Sequence, residues 1–481
     1  MNKLLVVLFV FQSAISMATT VLNVESRTII VQGKNIPFNT ITQDDGTWGY
    51  MGNQGESFNV IVNNLLNEST VLHWHGIVLP NSQDGVDGLT QSDPIPPHES
   101  MAYNFTLNHH GTYWIHSHYG LQEQLGIEAP LIVLDKNDHL YKQVVVMFQD
   151  VSFKSPEQIL KDLKGDTSTT VIHHHNVAVD DIDSSMDIME HGNHKDNLNS
   201  MHNTHSMEEM DLNDVKYDAY LTNYHSPDMP QITKVKAREI VRLRFINGAS
   251  ASNFWINLGR LDGTVIAVDG QDVKPIHGNK FPIAMGQRVD VLIKIPKSGG
   301  VFPILGQVEG LKDQTGLILT TKLNTKKNIS VLAQNKAPAI GYQLDKKIES
   351  LKPIEFMSLT GSTKHFNVVL NGDMNNYNWT INNQLWPNIT PLIVNEGDLV
   401  NITFDNKSMM SHQMHLHGYL FKVVSIDGKP TKGFLRDTII VMPHSKVTVQ
   451  FVADNPGKWL LHCHVAYHME AGMMTYLQVN E

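Results

Sequence analysis

Two stretches of this 481-residue chain, PHESMAYNFTLNHHGTYWIHSH (97–118) and PHSKVTVQFVADNPGKWLLHCH (443–464), align without a gap. The register extends upstream. Gly55 precedes His73 by eighteen residues, Gly397 precedes His415 by the same eighteen, and VNN (62–64) falls on FDN (404–406). Repetition on this scale makes the first and last parts of the chain copies of one folding unit. In that register His116 falls on His462, Ser117 on Cys463 and His118 on His464, so only the last copy carries a thiol.

The middle of the chain holds a third, eroded copy. EIVRLRFING (239–248) and RVDVLIKIPKSGG (288–300) keep the strand pattern, but no H-x-H pair follows either. SFNVIVNN, EIVRLRF, DLVNITF and KVTVQFV alternate as half-buried strands between Gly, Pro and Asn turns. No long amphipathic helix interrupts them. The length suits three domains of ~150 residues, expected at 19–165, 214–345 and 346–481.

Cys463, the only cysteine, lies in HCHVAYHMEAGM (462–473). It cannot close a disulfide within the chain. His468 follows it by five residues and Met473 by ten. A thiolate, two imidazoles and a weak axial thioether make a trigonal blue-copper site, so a second imidazole must come from elsewhere. Strand alternation turns His462 and His464 to the face opposite Cys463, toward a different metal. Three more clusters follow the H-x-H pattern: His73 and His75 in HWHGI, His116 and His118 in HSHYG, and His415 and His417, preceded by His412, in HQMHLHG. One such pair would carry little weight beside the plainer reading of surface histidines around a buried thiol. Four pairs supply eight histidines, enough for three coppers, and leave His412 as the missing blue-site imidazole.

The set HWHG, HSH, HxxHxH and HCHxxxHxxxxM resembles that of the multicopper oxidases, the family of laccases, ascorbate oxidase and bacterial copper oxidases. HWHGIVLPNSQDGVDGLTQSDPIPP and GTYWIHSHYGLQEQLG are most similar to its copper-resistance protein A branch. The resemblance implies an all-β chain of three cupredoxin-like Greek-key β-sandwich domains, with a trinuclear site between the first and third and a copper-free second. It implies four copper ions: one type 1, one type 2 and two type 3. By the family's pattern His412, Cys463 and His468, with axial Met473, hold type 1, and His73 and His415 hold type 2. His75, His116 and His464 would hold one type 3 ion, and His118, His417 and His462 the other. Electrons would pass from Cys463 through His462 and His464, and dioxygen would be reduced to water in a four-electron step. Asp84, in PNSQDG, matches the family's acid beside type 2 and is the candidate for proton relay; the plainer reading is a turn aspartate before Gly85. Met469 stands where laccases often place an acid, which leaves a second proton donor unassigned.

The reductant is expected to be Cu(I), because an axial thioether tends to lower the potential and Met409–Met410 beside His412 could deliver a soft ion. Those methionines equally suit packing. A laccase-type oxidase of small phenols or aromatic amines, and a copper-sequestering protein, are the alternatives. Residues 166–213 read as a disordered insertion, since the 171–213 stretch has seven histidines and five methionines among Asp, Asn and Ser and too little apolar surface to fold. It is expected to take up extra copper, or to be a harmless linker. Residues 1–18 read as a signal peptide for a periplasmic protein. Their apolar run at 4–11 is shorter than the ~20 residues a bilayer span needs, and no membrane span is expected in the mature chain. A net charge of −11 without a basic cluster argues against nucleic acid or an anionic membrane as partner. A monomer is expected.

Overall fold

The computed structural model describes residues 19–91, 93–165, 212–323 and 327–481. The expected signal peptide and nearly all of the histidine- and methionine-rich stretch lie outside the described residues. The rest folds into six sheets, two per unit: four and four strands in the first, six and five in the second, six and five in the third. The expected all-β fold of three sandwiches is what forms. Among the described residues no helix is long and apolar enough to cross a membrane.

Alternation explains the strands. Ser57–Asn64 buries every second residue, with Phe58, Val60 and Val62 inward; a period of two suits a sheet with one covered face. Each unit opens with a strand paired parallel to a later one: Thr20–Val31 with Ser57–Asn64, Lys142–Val151 with Ile240–Asn247, and Thr363–Asp373 with Leu399–Asn406. Parallel partners need a crossover, and the same crossover recurs three times.

That recurrence moves one expected boundary. Lys142–Val151 lies before residue 165 but pairs with Ala219–Thr222 and Ile240–Asn247. By sheet membership the first unit therefore ends near residue 141. A second expectation also changes: EIVRLRF is buried on both faces rather than half-buried. Its polar alternates meet the first unit instead of water. Arg242 binds Asp138 at 2.5 Å and Asp290 at 2.6 Å, and Arg244 binds Asp138 at 2.8 Å and Thr112 Oγ1 at 2.8 Å. A buried charge is tolerated when paired and hydrogen-bonded, so the alternation marks an interface between units.

Candidate metal centres

The repeat places the histidines. In the first unit strand Leu72–His75 pairs antiparallel with Gly111–Ser117, setting His73 opposite His116. In the third, His412–Leu416 pairs with Gly457–Cys463, setting His415 opposite His462 and Met414 opposite Cys463. His462 and His464 thus share one face and Cys463 takes the other, as alternation requires.

The eight H-x-H histidines converge between the first and third units. The ligand-bearing atoms of His75, His116 and His464 lie within 4.8 Å of one another, as do those of His118, His417 and His462 and those of His73, His415 and His417. His73 and His417 rings stack at 3.7 Å, and His75 and His415 at 3.8 Å. Among the described residues His73 Nε2, His75 Nδ1, His116 Nε2, His118 Nε2, His415 Nε2 and both nitrogens of His464 are buried without a hydrogen-bond partner. Leaving so many polar atoms unsatisfied is costly unless an ion takes their lone pairs. Burial first, then neighbouring imidazoles, pushes His75, His116, His118, His415, His417 and His464 well below the ordinary histidine range. Burial brings His462 to about 4. Neutral imidazoles are the ligating form.

Three buried acidic residues stand behind six of these rings. Asp84 Oδ2 accepts from His417 Nδ1 at 2.9 Å, and its backbone oxygen accepts from His73 Nδ1 at 2.9 Å. Asp437 Oδ1 accepts from His75 Nε2 at 3.2 Å, and its backbone oxygen from His415 Nδ1 at 2.9 Å. Glu123 Oε2 lies 2.9 Å from His116 Nδ1, and Oε1 lies 3.9 Å from His464 Nδ1. Each contact leaves the other nitrogen of its ring free to face a metal. Arg288, from the second unit, holds Asp437 at 2.7 and 2.5 Å through its two terminal nitrogens. The second unit therefore helps build the site. Asp84 was legible in the sequence; Asp437, Glu123 and Arg288 were not, because nothing local marks them.

Cys463 faces the core of the third unit. Its sulfur lies 3.7 Å from His412 Nδ1 and 3.6 Å from His468 Nδ1, which are 3.2 Å apart. This is a triangle of one sulfur and two nitrogens. Met473 is fully buried, and its backbone oxygen accepts from Cys463 N at 3.1 Å. The outer nitrogen of each ring is also held: His412 Nε2 by Ser408 Oγ at 2.8 Å and His468 Nε2 by Asp214 Oδ2 at 2.7 Å. Burial opposes charge on His468, but the Asp214 carboxylate holds its imidazole up to about 9 in the metal-free chain. Trp379 stacks on His468 at 4.1 Å. Neither His412 nor His468 has any exposed surface. Serine, aspartate and tryptophan cover them.

The donor chemistry fits copper: a thiolate with imidazoles in one place, and imidazoles alone in the other, both matching the soft-to-borderline preference of that metal.

Comparison with known proteins agrees. Three models described as multicopper oxidase match residues 18–138, 187–327 and 361–481. The chain is 32% identical to multicopper oxidase MmcO of Mycobacterium tuberculosis over 440 residues, 88% of this chain and 79% of that one. It is 26% identical to a copper resistance protein A homolog of Pseudomonas syringae pv. tomato, covering 89% of this chain and 86% of the relative. The fold matches Fet3p, a multicopper oxidase that functions in iron import, with a TM-score of 0.72 at 21% identity, covering 96% of this chain and 90% of Fet3p. It also matches a Campylobacter jejuni multicopper oxidase described as a metallo-oxidase, with a TM-score of 0.67 at 21% identity over 96% of this chain and 91% of that one. With three cupredoxin-like units, two histidine-built centres between and within them, and these relatives, the chain belongs to the multicopper oxidase family, oxidoreductases that use copper to pass electrons from a reductant to dioxygen.

Proposed function

We propose that this oxidase takes its electrons from Cu(I) and serves copper resistance outside the cytoplasm. The observation that carries the reading is at the surface beside the blue site. Met409 is 47% exposed, and its Sδ lies 3.1 Å from Nε2 of the exposed His444. Its neighbour Ser408 touches His412 Nε2. A thioether and an imidazole suit a cuprous ion, whereas the covered rings of His412 and His468 offer a phenol no edge to stack on. Resemblance to copper resistance protein A, at 26% identity, supports the same reading. We further propose a periplasmic location and a monomer.

We assign His412, Cys463, His468 and Met473 as the residues that would hold type 1; His73 and His415 as those that would hold type 2; and His75, His116, His464 and His118, His417, His462 as those that would hold the two type 3 ions. Four coppers, when bound, would store the four electrons taken from the reductant and pass them to dioxygen, giving water. The protein's own part is positional. Cys463, His462 and His464 are adjacent in the chain and link the two centres through covalent bonds. Asp84 holds His73 and His417 and lies within the cluster's shell, placed to pass a proton or to orient a bound water. Asp437 and Arg288 keep His75 and His415 facing inward.

The test is oxygen uptake by the copper-loaded protein with Cu(I) and with a phenol, repeated on Met409→Leu and on a deletion of 171–213. Preferential Cu(I) turnover, with KM raised in Met409→Leu and phenol oxidation unchanged, is expected. Strong phenol turnover indifferent to both changes would make the protein a laccase.

A further inference from the structure

The first and third units can be compared residue by residue, because the gap-free repeat continues past its histidines. His464 falls on His118, and four residues later His468 falls on Gln122; Gly472 then falls on Gly126, both with positive φ, 110° and 87°. In the same register His412 falls on Thr70, Cys463 on Ser117 and Met473 on Ile127. The place of the blue site in the first unit is therefore taken by a hydroxyl, a hydroxyl, an amide and an alkyl group.

These groups bind one another rather than a metal. Thr70 Oγ1 and Ser117 Oγ each donate to Gln122 Oε1 at 2.8 Å, and Gln122 Nε2 donates to the Ser69 carbonyl at 2.8 Å. Thr70 and Ser117 are essentially fully buried and Gln122 is 4% exposed. The trio ties strand Gly111–Ser117 and the loop before Leu72 to the short 3-10 turn Gln122–Leu125. The next residue of that turn is Glu123, whose counterpart in the third unit is Met469.

We infer that Glu123 is a positioning residue for the type 3 ion assigned to His75, His116 and His464, and that the Thr70–Ser117–Gln122 trio is its mount. The inference rests on the ligand assignment proposed above. Glu123 Oε2 lies 2.9 Å from His116 Nδ1, and with the proton on that nitrogen the ring turns Nε2, otherwise without a partner, toward the centre. Its second oxygen faces His464 Nδ1. At 3.9 Å that second approach is too long for a hydrogen bond, so the ring Glu123 holds directly is His116. A carboxyl oxygen accepts this bond whether or not the group carries a proton, so the role does not depend on titration. Asp84 and Asp437 already hold His73, His417, His75 and His415, and without Glu123 the only other bond to the His116 ring is Nδ1 to the Ser117 carbonyl at 3.3 Å. Methionine at the matching position of the third unit shows which part of the symmetry has been given up. The third unit keeps the metal at its blue site, and the first keeps the acid beside the cluster.

The test compares Glu123→Met, which copies the third unit, with Glu123→Gln, which retains an accepting oxygen. Each variant is loaded with copper. The near-ultraviolet absorption of the coupled type 3 pair, the copper content and the blue thiolate band are then measured, along with the His116 tautomer by nitrogen-15 NMR of the metal-free protein. Glu123→Met should hold copper at that ion about 10–100-fold more weakly, lose the near-ultraviolet band and the fixed Nδ1–H tautomer, and keep the blue band. Glu123→Gln should retain all of them. Gln122→Met, which breaks the mount and leaves Glu123 in place, should weaken the near-ultraviolet band as well. An unchanged near-ultraviolet band in Glu123→Met would overturn the inference. So would loss of the blue band alongside it, which marks a general structural role, or a Glu123→Gln variant as impaired as Glu123→Met. Failure of the ligand assignment itself would look different: wild-type protein would then lack the near-ultraviolet band.

Discussion

Replacing Asp437 by leucine strands the Arg288 guanidinium in the interface between the second and third units. Arg288 is fully buried and gives Asp437 a two-pronged ion pair at 2.7 and 2.5 Å; its remaining bonds go to the Thr112 and Gly286 carbonyls at 3.0 and 2.9 Å, with Asp269 at 3.7 Å. Removing one partner of a buried pair costs about 3–5 kcal/mol, because the other charge is left without its counterion. At about 2–4 °C per kcal/mol for a unit of this size, the melting temperature should fall by about 6–20 °C. Calorimetry on chelator-treated protein reads this without the contribution of bound metal. The double variant Arg288→Leu with Asp437→Leu should recover most of the loss, since Asp269 keeps Arg436 at 2.9 Å and paired apolar replacements are often neutral. Its His75 ring would still lack the Asp437 bond, so the type 3 absorption should stay impaired while the fold recovers. A single variant melting within about 2 °C of wild type, or a double variant no more stable than the single, would refute the reasoning.

Cys463→Ser should abolish the blue band and electron entry while the trinuclear histidines still load copper, seen by metal content and absorption; the buried hydroxyl should cost about 1–3 kcal/mol. Glu309 is buried against Asn253 and the Ile340 amide, and burial raises its carboxyl from 4.5 to about 7. The folded chain then holds a proton that the unfolded chain has lost, so this residue makes stability fall as pH rises from about 4.5 to 7, by about 3 kcal/mol, and levels off above. Glu309→Gln should flatten that part of the melting profile, and an unchanged pH profile would refute it. Gly85→Ala should destabilise by about 1–3 kcal/mol, because Gly85 has φ +77° and a Cβ there presses on the Leu72 carbonyl. It should also shift the type 2 spectrum by moving Asp84 off His73 and His417.

The clustering of these side chains was legible because their spacing is local: an H-x-H pair needs only strand alternation to put both rings on one side, and the offsets of His468 and Met473 from Cys463 bracket one short helix, Ala466–Glu470. The three-unit plan was legible because the chain repeats itself. What stayed hidden comes from partners distant in sequence. Asp437 stands 362 residues from His75, and Asp214 stands 254 from His468. Neither belongs to a motif, and only folding brings them near. Arg242 and Arg244 read as the wet side of a strand because alternation cannot distinguish water from a neighbouring unit that answers each charge. Sheet membership parts from chain order for a related reason: Lys142–Val151 precedes the expected boundary at 165 but pairs with strands of the second unit. Gln122 and Glu123 were visible only through the extended repeat, once the positions facing the blue site were laid side by side.

The eight histidines are divided evenly, four from each end of the chain, and the groups His73–His415–His417, His75–His116–His464 and His118–His417–His462 each draw on both ends. His73 and His415 lie 342 positions apart. An ion shared between them ties the chain into a ring. In the loop-closure picture used for disulfides, a cross-link over that span lowers the freedom of the unfolded chain by about 6 kcal/mol at room temperature. The metal-free chain can part its first and third units by breaking ordinary contacts. On the ligand assignment proposed above, the loaded chain could not do so without breaking copper–imidazole bonds, so the ion of the active centre would double as the clasp of the molecule.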